Sequence, residues 1–317
     1  MRPEVPPFIV PEHGIHAVDT HYVRPGLDAS HLIIEQGRAA FVDTGPTSAV
    51  PHLLDALQRL GVAPEQVDLV LLTHVHLDHA GGAGVLLRSL PNAKVAIHPR
   101  GARHMSDPRK LIEGSIGVYG EEAFAALYGE IAPIPVERVI IADDGLRLRL
   151  ADRELELIHT PGHALHHYCI VDRAAGAIFS GDNFGISYRD LDTARGAFIY
   201  PTTTPVHFDP QAMHASLDRI MSYRPEAIYL THYSRVTELE RLAADLHECV
   251  DAFVAIARRH AARPDRGARI RADLFEYLSR RLDAHGFAAG EARRREIIGF
   301  DVELNSQGLE VWLDRAA

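Results

Sequence analysis

Four short apolar runs of this chain each lead into a residue able to bind a divalent metal, and no other feature restricts its fold as tightly. Leu69–Leu72 runs into Thr73-His74-Val75-His76-Leu77-Asp78-His79, and Leu155–Ile158 into His159-Thr160-Pro161-Gly162-His163. Ala177–Phe179 runs into Ser180-Gly181-Asp182, and Ala227–Leu230 into Thr231-His232. Runs this short, rich in β-branched residues and closed by turn formers, read as strands. A sheet edge gathers the side chains at its strand ends on a rigid frame. Histidines scattered at random would not fall at a strand end each time.

The same alternation extends through most of the sequence. Further strands are expected at Ile15–Val18, His31–Ile34, Ala39–Val42, Lys94–Ile97, Val139–Ile141, Leu146–Leu150 and Tyr168–Val171. Helical periodicity marks Ser48–Leu60, Ala83–Leu90, Glu121–Leu127 and Gln211–Met221. Leu146–Leu150 and Leu155–Ile158 are spaced as a hairpin, so mixed sheets are expected, with helices over the outer faces. After Ser234 two long amphipathic helices follow, Arg235–His260 and Arg269–His285, broken at Arg263-Pro264-Asp265. Gly286 and Gly290 close the second, and a mixed segment runs on to Trp312. The expected division is a domain over 1–234 and a mainly helical extension over 235–317, acting as a cap or as the seam of a homodimer.

Charge and length narrow the partners. With 317 residues the chain can bury a large core, and its net charge of −10 repels phosphate backbones, so nucleic acid is not an expected partner. No run approaches the roughly 20 apolar residues that span a bilayer. Met1–Val5 has no apolar stretch behind it that suits export. A cytoplasmic protein with no membrane contact is the expectation. Cys169 and Cys249 are too few for a disulfide framework and too far apart for a CxxC site. Histidine is the outlier, with 20 copies.

Imidazole nitrogens and carboxylate oxygens suit zinc, and equally iron or manganese. His74 and His76 stand two apart in an extended segment and so point to one side. Asp78 and His79 turn onto a neighbouring position as the chain enters a helix, where Gly81 and Gly82 permit close backbone approach.

Thr-His74-x-His76-x-Asp78-His79, Thr-Pro-Gly-His163, Gly-Asp182 and Thr-His232 together resemble the motif series of the metallo-β-lactamase superfamily, over roughly residues 10–235. Asp43, in Phe41-Val42-Asp43-Thr44-Gly45, is similar to the supporting aspartate of that series. The resemblance implies a four-layer αββα sandwich, with two mixed sheets face to face, helices outside, and a metal site at the open edge. It implies that His74, His76 and His163 hold one ion and that Asp78, His79 and His232 hold a second. Asp182 would bridge the two, and Asp43 would orient a ligand from behind. Two divalent cations, zinc by default, would then lower the pKa of a shared water. Asp78 and Asp182 are the carboxylates at hand to take its proton.

Within the superfamily the motifs resemble the glyoxalase II-like branch, which implies hydrolysis of a small ester, thioester or lactone. Zinc β-lactamases usually carry a cysteine where Asp182 stands. The long irregular segment Asn183–Pro210 is expected to wall the substrate pocket through Phe184, Tyr188 and His207, with His167 reaching in from beyond His163. Two other readings stand beside hydrolysis. One is a mononuclear iron oxygenase resembling the persulfide dioxygenases of the superfamily; the other is a metal-containing sensor or effector with little turnover. Metal stoichiometry and turnover on generic esters separate the three.

Overall fold

The computed structural model describes residues 13–203 and 206–316, so the reading of Met1–Val5 lies outside the described residues. Packing divides the chain into two compact units. The first takes the chain up to His159, then His166–Gly181 and Ala227–Arg235; the second takes Thr160–Leu165, Asp182–Glu226 and everything from Val236 on.

The first unit is built on two six-stranded sheets. One contains β1 (Ile15–Asp19), β2 (Ala29–Glu35), β3 (Arg38–Val42), β4 (Val67–Leu71), β5 (Lys94–Ile97) and β6 (Val139–Ile141), in that spatial order. The other contains β7 (Leu146–Leu150), β8 (Arg153–His159), β9 (Tyr168–Asp172), β10 (Ala177–Gly181), β11 (Ala227–Leu230) and β12 (Ser234–Val236), also in order. Both sheets are mixed. β1 to β3 pair antiparallel while β3 to β6 pair parallel, and β7 to β10 pair antiparallel while β10 and β11 pair parallel. Helices α1 (Val50–Arg59), α2 (Leu77–Ala80), α3 (Ala83–Leu86), α4 (Pro99–Ser106), α5 (Arg109–Tyr119) and α6 (Glu121–Tyr128) belong to the same unit.

The two-residue period of a strand explains how one sheet serves two cores. Phe41, Val70 and Leu72 join α1 residues Leu53, Ala56 and Leu57 in one buried cluster. Their sequence neighbours Ala40, Val42, Leu69 and Leu71 face the other way and pack with Leu155, Leu157, Ile170 and Phe179 of the second sheet. Strands buried on both faces need continuous apolar sequence, and that continuity is what made them readable. The buried ion pair of Arg153 with Asp172 closes this core, and the Tyr168 hydroxyl adds a bond across it to Ala96 O at 2.9 Å.

The second unit holds the long helices α7 (Pro210–Ser222), α8 (Leu239–His260), α9 (Arg266–His285) and α10 (Glu291–Ala316). Asp209 caps α7 by accepting from Ala212 N at 3.0 Å, and Pro210 takes the first helical position, where no amide donor is needed. α8 starts at Leu239 and not at Arg235, because Ser234–Val236 is drawn into the sheet as β12. Packing groups 182–226 with the long helices, across the cut expected at 234. The tie is polar as well as apolar: Tyr188 and Tyr200 donate to Asp301 of α10 at 3.1 and 2.8 Å, Thr203 Oγ1 donates to Asn305 O at 3.0 Å, and Phe208 meets the Trp312 ring edge-on. Among the described residues, no helix is long and apolar enough to cross a membrane.

Candidate metal centre

Strand directions decide where the histidines go. β8 and β10 both run antiparallel to β9, and β11 runs parallel to β10. The last residues of these strands, His159, Gly181 and Leu230, therefore reach one edge of the second sheet. Tyr168 at the start of β9 donates its amide to Thr73 O at 2.8 Å, which brings the end of β4 to the same edge. Chain continuity then sets His163 four residues past β8, Asp182 directly after β10 and His232 two residues past β11.

Gly181 makes this convergence fit. It sits at φ +50°, and a Cβ there would lie 2.6 Å from His167 Nε2 and 2.7 Å from Thr73 Oγ1, so no other residue passes without displacing them. On the helix side, a Cβ at Gly82 would stand 2.9 Å from Pro46 O. His76 is the N-cap of α2, which turns Asp78 and His79 out of the extended line that His74 and His76 follow.

Within the first unit, Asp78, His79 and His232 form a compact group whose ligand atoms lie within 4.8 Å of one another. Asp78 Oδ2 is 3.8 Å from His79 Nε2 and 3.6 Å from His232 Nε2. Ligands about 2.1 Å from a tetrahedral cation are roughly 3.4 Å apart, so the spacing fits a zinc-sized divalent ion with little adjustment. The outer nitrogens are committed: His79 Nδ1 donates to Asp43 Oδ2 at 2.8 Å and His232 Nδ1 to Leu27 O at 2.9 Å. Both acceptors lack a proton to give, which fixes each Nδ1 as N–H and leaves the Nε2 lone pair facing Asp78.

His74 follows the same logic. Thr73 Oγ1 has one proton and directs it to Asp43, at 2.8 and 3.0 Å from the two carboxylate oxygens. It therefore accepts from His74 Nδ1 at 3.2 Å, and His74 Nε2 is left as a lone pair 2.9 Å from His76 Nδ1. The His74 and His79 rings lie 4.0 Å apart, centre to centre.

Asp43 connects these segments. It accepts from Thr73 N at 2.8 Å and from Thr231 Oγ1 at 3.0 Å, in addition to His79 and the Thr73 hydroxyl. One buried carboxylate thus fixes the residue before His74, the ring of His79 and the residue before His232. Asp43 itself sits at φ +56° with its own carbonyl held by Ser30 Oγ at 2.8 Å.

The second unit carries His163 and Asp182, both buried, with His163 Nε2 3.5 Å from Asp182 Oδ2. Asn183 Oδ1 accepts from His163 N at 3.2 Å, while its amide nitrogen donates to Thr160 O. Asp209 N donates to Gly162 O at 2.8 Å, and Ser216 Oγ donates to Pro161 O at 2.5 Å, so α7 and its cap brace the loop around His163.

Of the residues expected to face substrate, Phe184 and Tyr188 are fully buried, and the Tyr188 hydroxyl is taken by Asp301. His207 is half-buried, and the His167 ring is buried 5.1 Å from that of His74. Two contributors escaped sequence reasoning. Leu27 supplies only its carbonyl. Asp28 is fully buried beside it, bonded by Thr20 Oγ1 at 2.9 Å, and burial pushes its carboxyl up to about 7, with His232 and His79 opposing the shift. Its place just ahead of β2 was the only available sign.

The chain is similar to known proteins in both sequence and fold. A metallo-beta-lactamase fold-containing protein of Sulfurisphaera tokodaii is 25% identical over 230 residues, covering 70% of this chain and 79% of its own. The hydroxyacylglutathione hydrolase of Xanthomonas axonopodis pv. citri is 30% identical over 253 residues, covering 77% of this chain and 76% of that protein. That of Aeromonas hydrophila is 28% identical over 210 residues, and there this chain matches 66% of itself and 62% of the hydrolase. In fold, the crystal structure of the archaeal superfamily protein from Sulfolobus tokodaii matches 94% of this chain and 99% of its own, with a TM-score of 0.66 at 21% identity. Residues 23–232 match the family described as the metallo-beta-lactamase superfamily, and the chain belongs to it.

Proposed function

We propose that this protein is a dinuclear metal-dependent hydrolase acting on a small ester, thioester or lactone. The observation that carries the reading is the Asp78–His79–His232 group, three ligand atoms at coordination spacing whose imidazoles are both held at Nδ1, with Nε2 turned toward Asp78. The kinship with hydroxyacylglutathione hydrolases supports a hydrolytic reaction and favours a thioester.

In this reading Asp78, His79 and His232 would hold one divalent cation, and the family's motif series assigns His74, His76 and His163 to a second, with Asp182 the residue it assigns to both. Bound cations of this kind supply a water of lowered pKa and polarise a substrate carbonyl. The chain's own contribution is orientation. Asp43 and Leu27 O fix the tautomers of His79 and His232, so these ligands are in place before any ion arrives. Asp78 or Asp182 would accept the proton of an attacking water. Zinc is the favoured metal, and iron or manganese suits the same donors.

Elemental analysis of the purified protein, run beside a panel of thioester, lactone and phosphodiester substrates, tests the proposal. At least two ions per chain with thioester or lactone turnover are expected, and His76→Ala or Asp182→Ala should abolish turnover while leaving the circular dichroism spectrum intact. A single iron with oxygen consumption, or full activity in the Asp182 variant, would overturn it.

A further inference from the structure

The helices α7 and α8 carry a second histidine cluster that the hydrolytic reading does not use. His214 and Asp218 stand four residues apart on α7, and His247 and Asp251 four apart on α8, so each pair lies on one helix face. The pairs interlock crosswise. His214 Nε2 meets Asp251 Oδ1 at 3.2 Å, and His247 Nε2 meets Asp218 Oδ1 at 3.3 Å. Between them the two Nδ1 atoms face each other at 2.6 Å, with the ring planes parallel to within 1° and the centroids 4.9 Å apart. The result is one row of four groups: carboxylate, imidazole, imidazole, carboxylate.

Counting hydrogens shows what this row lacks. Its three contacts need three hydrogens, and two neutral imidazoles carry two. Once each Nε2–H is turned to its carboxylate, the inner nitrogens present lone pairs to each other, an arrangement that a cation shared between them would satisfy. Two flanking carboxylates favour that cation as well. An imidazole whose outer N–H is held by a carboxylate is also the usual arrangement of a metal-bound histidine, and here two such units converge on one point.

We propose that His214 and His247 form a metal site on the α7–α8 pair, binding a late first-row divalent cation such as zinc, copper or nickel, with Asp251 and Asp218 holding the two rings. Imidazole pairs suit these ions better than magnesium or calcium, which prefer all-oxygen shells. Both histidines are half-buried, at 26% and 31% side-chain exposure, so water completes the coordination. To admit the ion, the nitrogens separate from 2.6 Å to roughly 3.4 Å, a swing that rim side chains on two helices can make. His74 and His76 show a similar approach of imidazole nitrogens, at 2.9 Å. The ion would clamp α7, the helix whose Ser216 holds Pro161 O in the loop before His163.

Equilibrium dialysis of zinc into the chelator-stripped full chain tests the site independently of any turnover. The wild type should take up one more equivalent than the His214→Gln/His247→Gln double variant, and the last equivalent of copper should show nitrogen hyperfine coupling in its paramagnetic resonance spectrum. Equal stoichiometry in the two proteins overturns the proposal, and is the result if a proton alone fills the gap. Should the double variant fail to fold by circular dichroism, Asp218→Asn/Asp251→Asn keeps the ligands and removes the charges that hold them. It should weaken that last equivalent 10- to 100-fold, as loss of such partners does elsewhere (roughly that range); a change under twofold overturns the site equally.

Discussion

Replacing Asp43 by asparagine changes one atom and should disable the centre, for a reason the hydrogen-bond pattern makes explicit. Asp43 Oδ1 accepts from Thr73 N at 2.8 Å, and Oδ2 accepts from His79 Nδ1 at 2.8 Å. Both donors are N–H groups that cannot turn away. The hydroxyls of Thr73 and Thr231, which also bond Asp43, can rotate and accept instead. An asparagine side chain must place its NH2 at one of the two oxygen positions. In one orientation it opposes the Thr73 amide and leaves a buried donor unmet, at about 1–3 kcal/mol. In the other it opposes His79 Nδ1–H, and the imidazole must move its proton to Nε2. That proton then occupies the lone pair facing Asp78 and His232, and His79 no longer binds a cation. Loss of a carboxylate behind a ligand histidine weakens metal binding about 10- to 100-fold, or roughly 1.4–2.7 kcal/mol. The assay is competition against a chromophoric chelator, with urea unfolding of the metal-free protein in parallel. Asp43→Asn should lose either affinity or stability by these amounts. A variant within twofold in affinity and within about 0.5 kcal/mol in stability would refute the argument that Asp43 sets the His79 tautomer.

Three other outcomes follow from the fold. His31 is buried between Phe179 and Tyr229, and burial lowers its pKa from 6.5 to about 3. The unfolded chain binds a proton there that the folded chain refuses, so this contribution to stability is full above pH 6.5 and falls as the pH drops toward 3. At about 1.36 kcal/mol per unit, lowering the pH from 6.5 to 5 costs about 2 kcal/mol that His31→Phe should not lose; parallel urea curves with chelator present, showing equal acid sensitivity in both proteins, would contradict this. Asp172→Ala leaves the buried Arg153 guanidinium only Glu35 at 3.7 Å and the His13 carbonyl, and should destabilise by about 3 kcal/mol in the same unfolding assay, and a loss below 1 kcal/mol would mean the pair is not desolvated. Gly181→Ala puts a methyl group against His167 and Thr73 at a positive φ and should cost about 1–3 kcal/mol, together with metal occupancy measured by elemental analysis.

What the sequence revealed and what it hid follow a physical division. Strands buried on both faces are nearly continuous in apolar residues, as in β10 and β11, while β8 shows itself by alternation, Leu155 and Leu157 inward between charged neighbours, and the chemistry of coordination limits the residues that can follow them. The helix α10 was hidden for the opposite reason. Asp301 and Asn305 stand four apart, on one face, where an apolar stripe would be sought, and they are buried because Tyr188, Tyr200 and Thr203 satisfy them. Buried polar residues with partners from another segment break the periodicity from which a helix is read, and the partners cannot be known before the fold is. The strand β12, three residues long, is too short to show any period.

The same division applies within the centre. A side-chain ligand must come from a few residue types, here histidine and aspartate, so a candidate is written in the chain. The group that holds a ligand in place need not be a side chain at all: His232 is oriented by the carbonyl of Leu27, which any residue would supply. The carbonyl at position 27 is held in turn by the bond of Ala29 N to Thr231 O at 2.9 Å, one residue before the histidine it orients, and nothing in the identity of Leu27 announces that role. Orientation of this kind follows only from the path of the main chain, and for that reason candidate ligands can be named from the sequence while part of what aims them cannot.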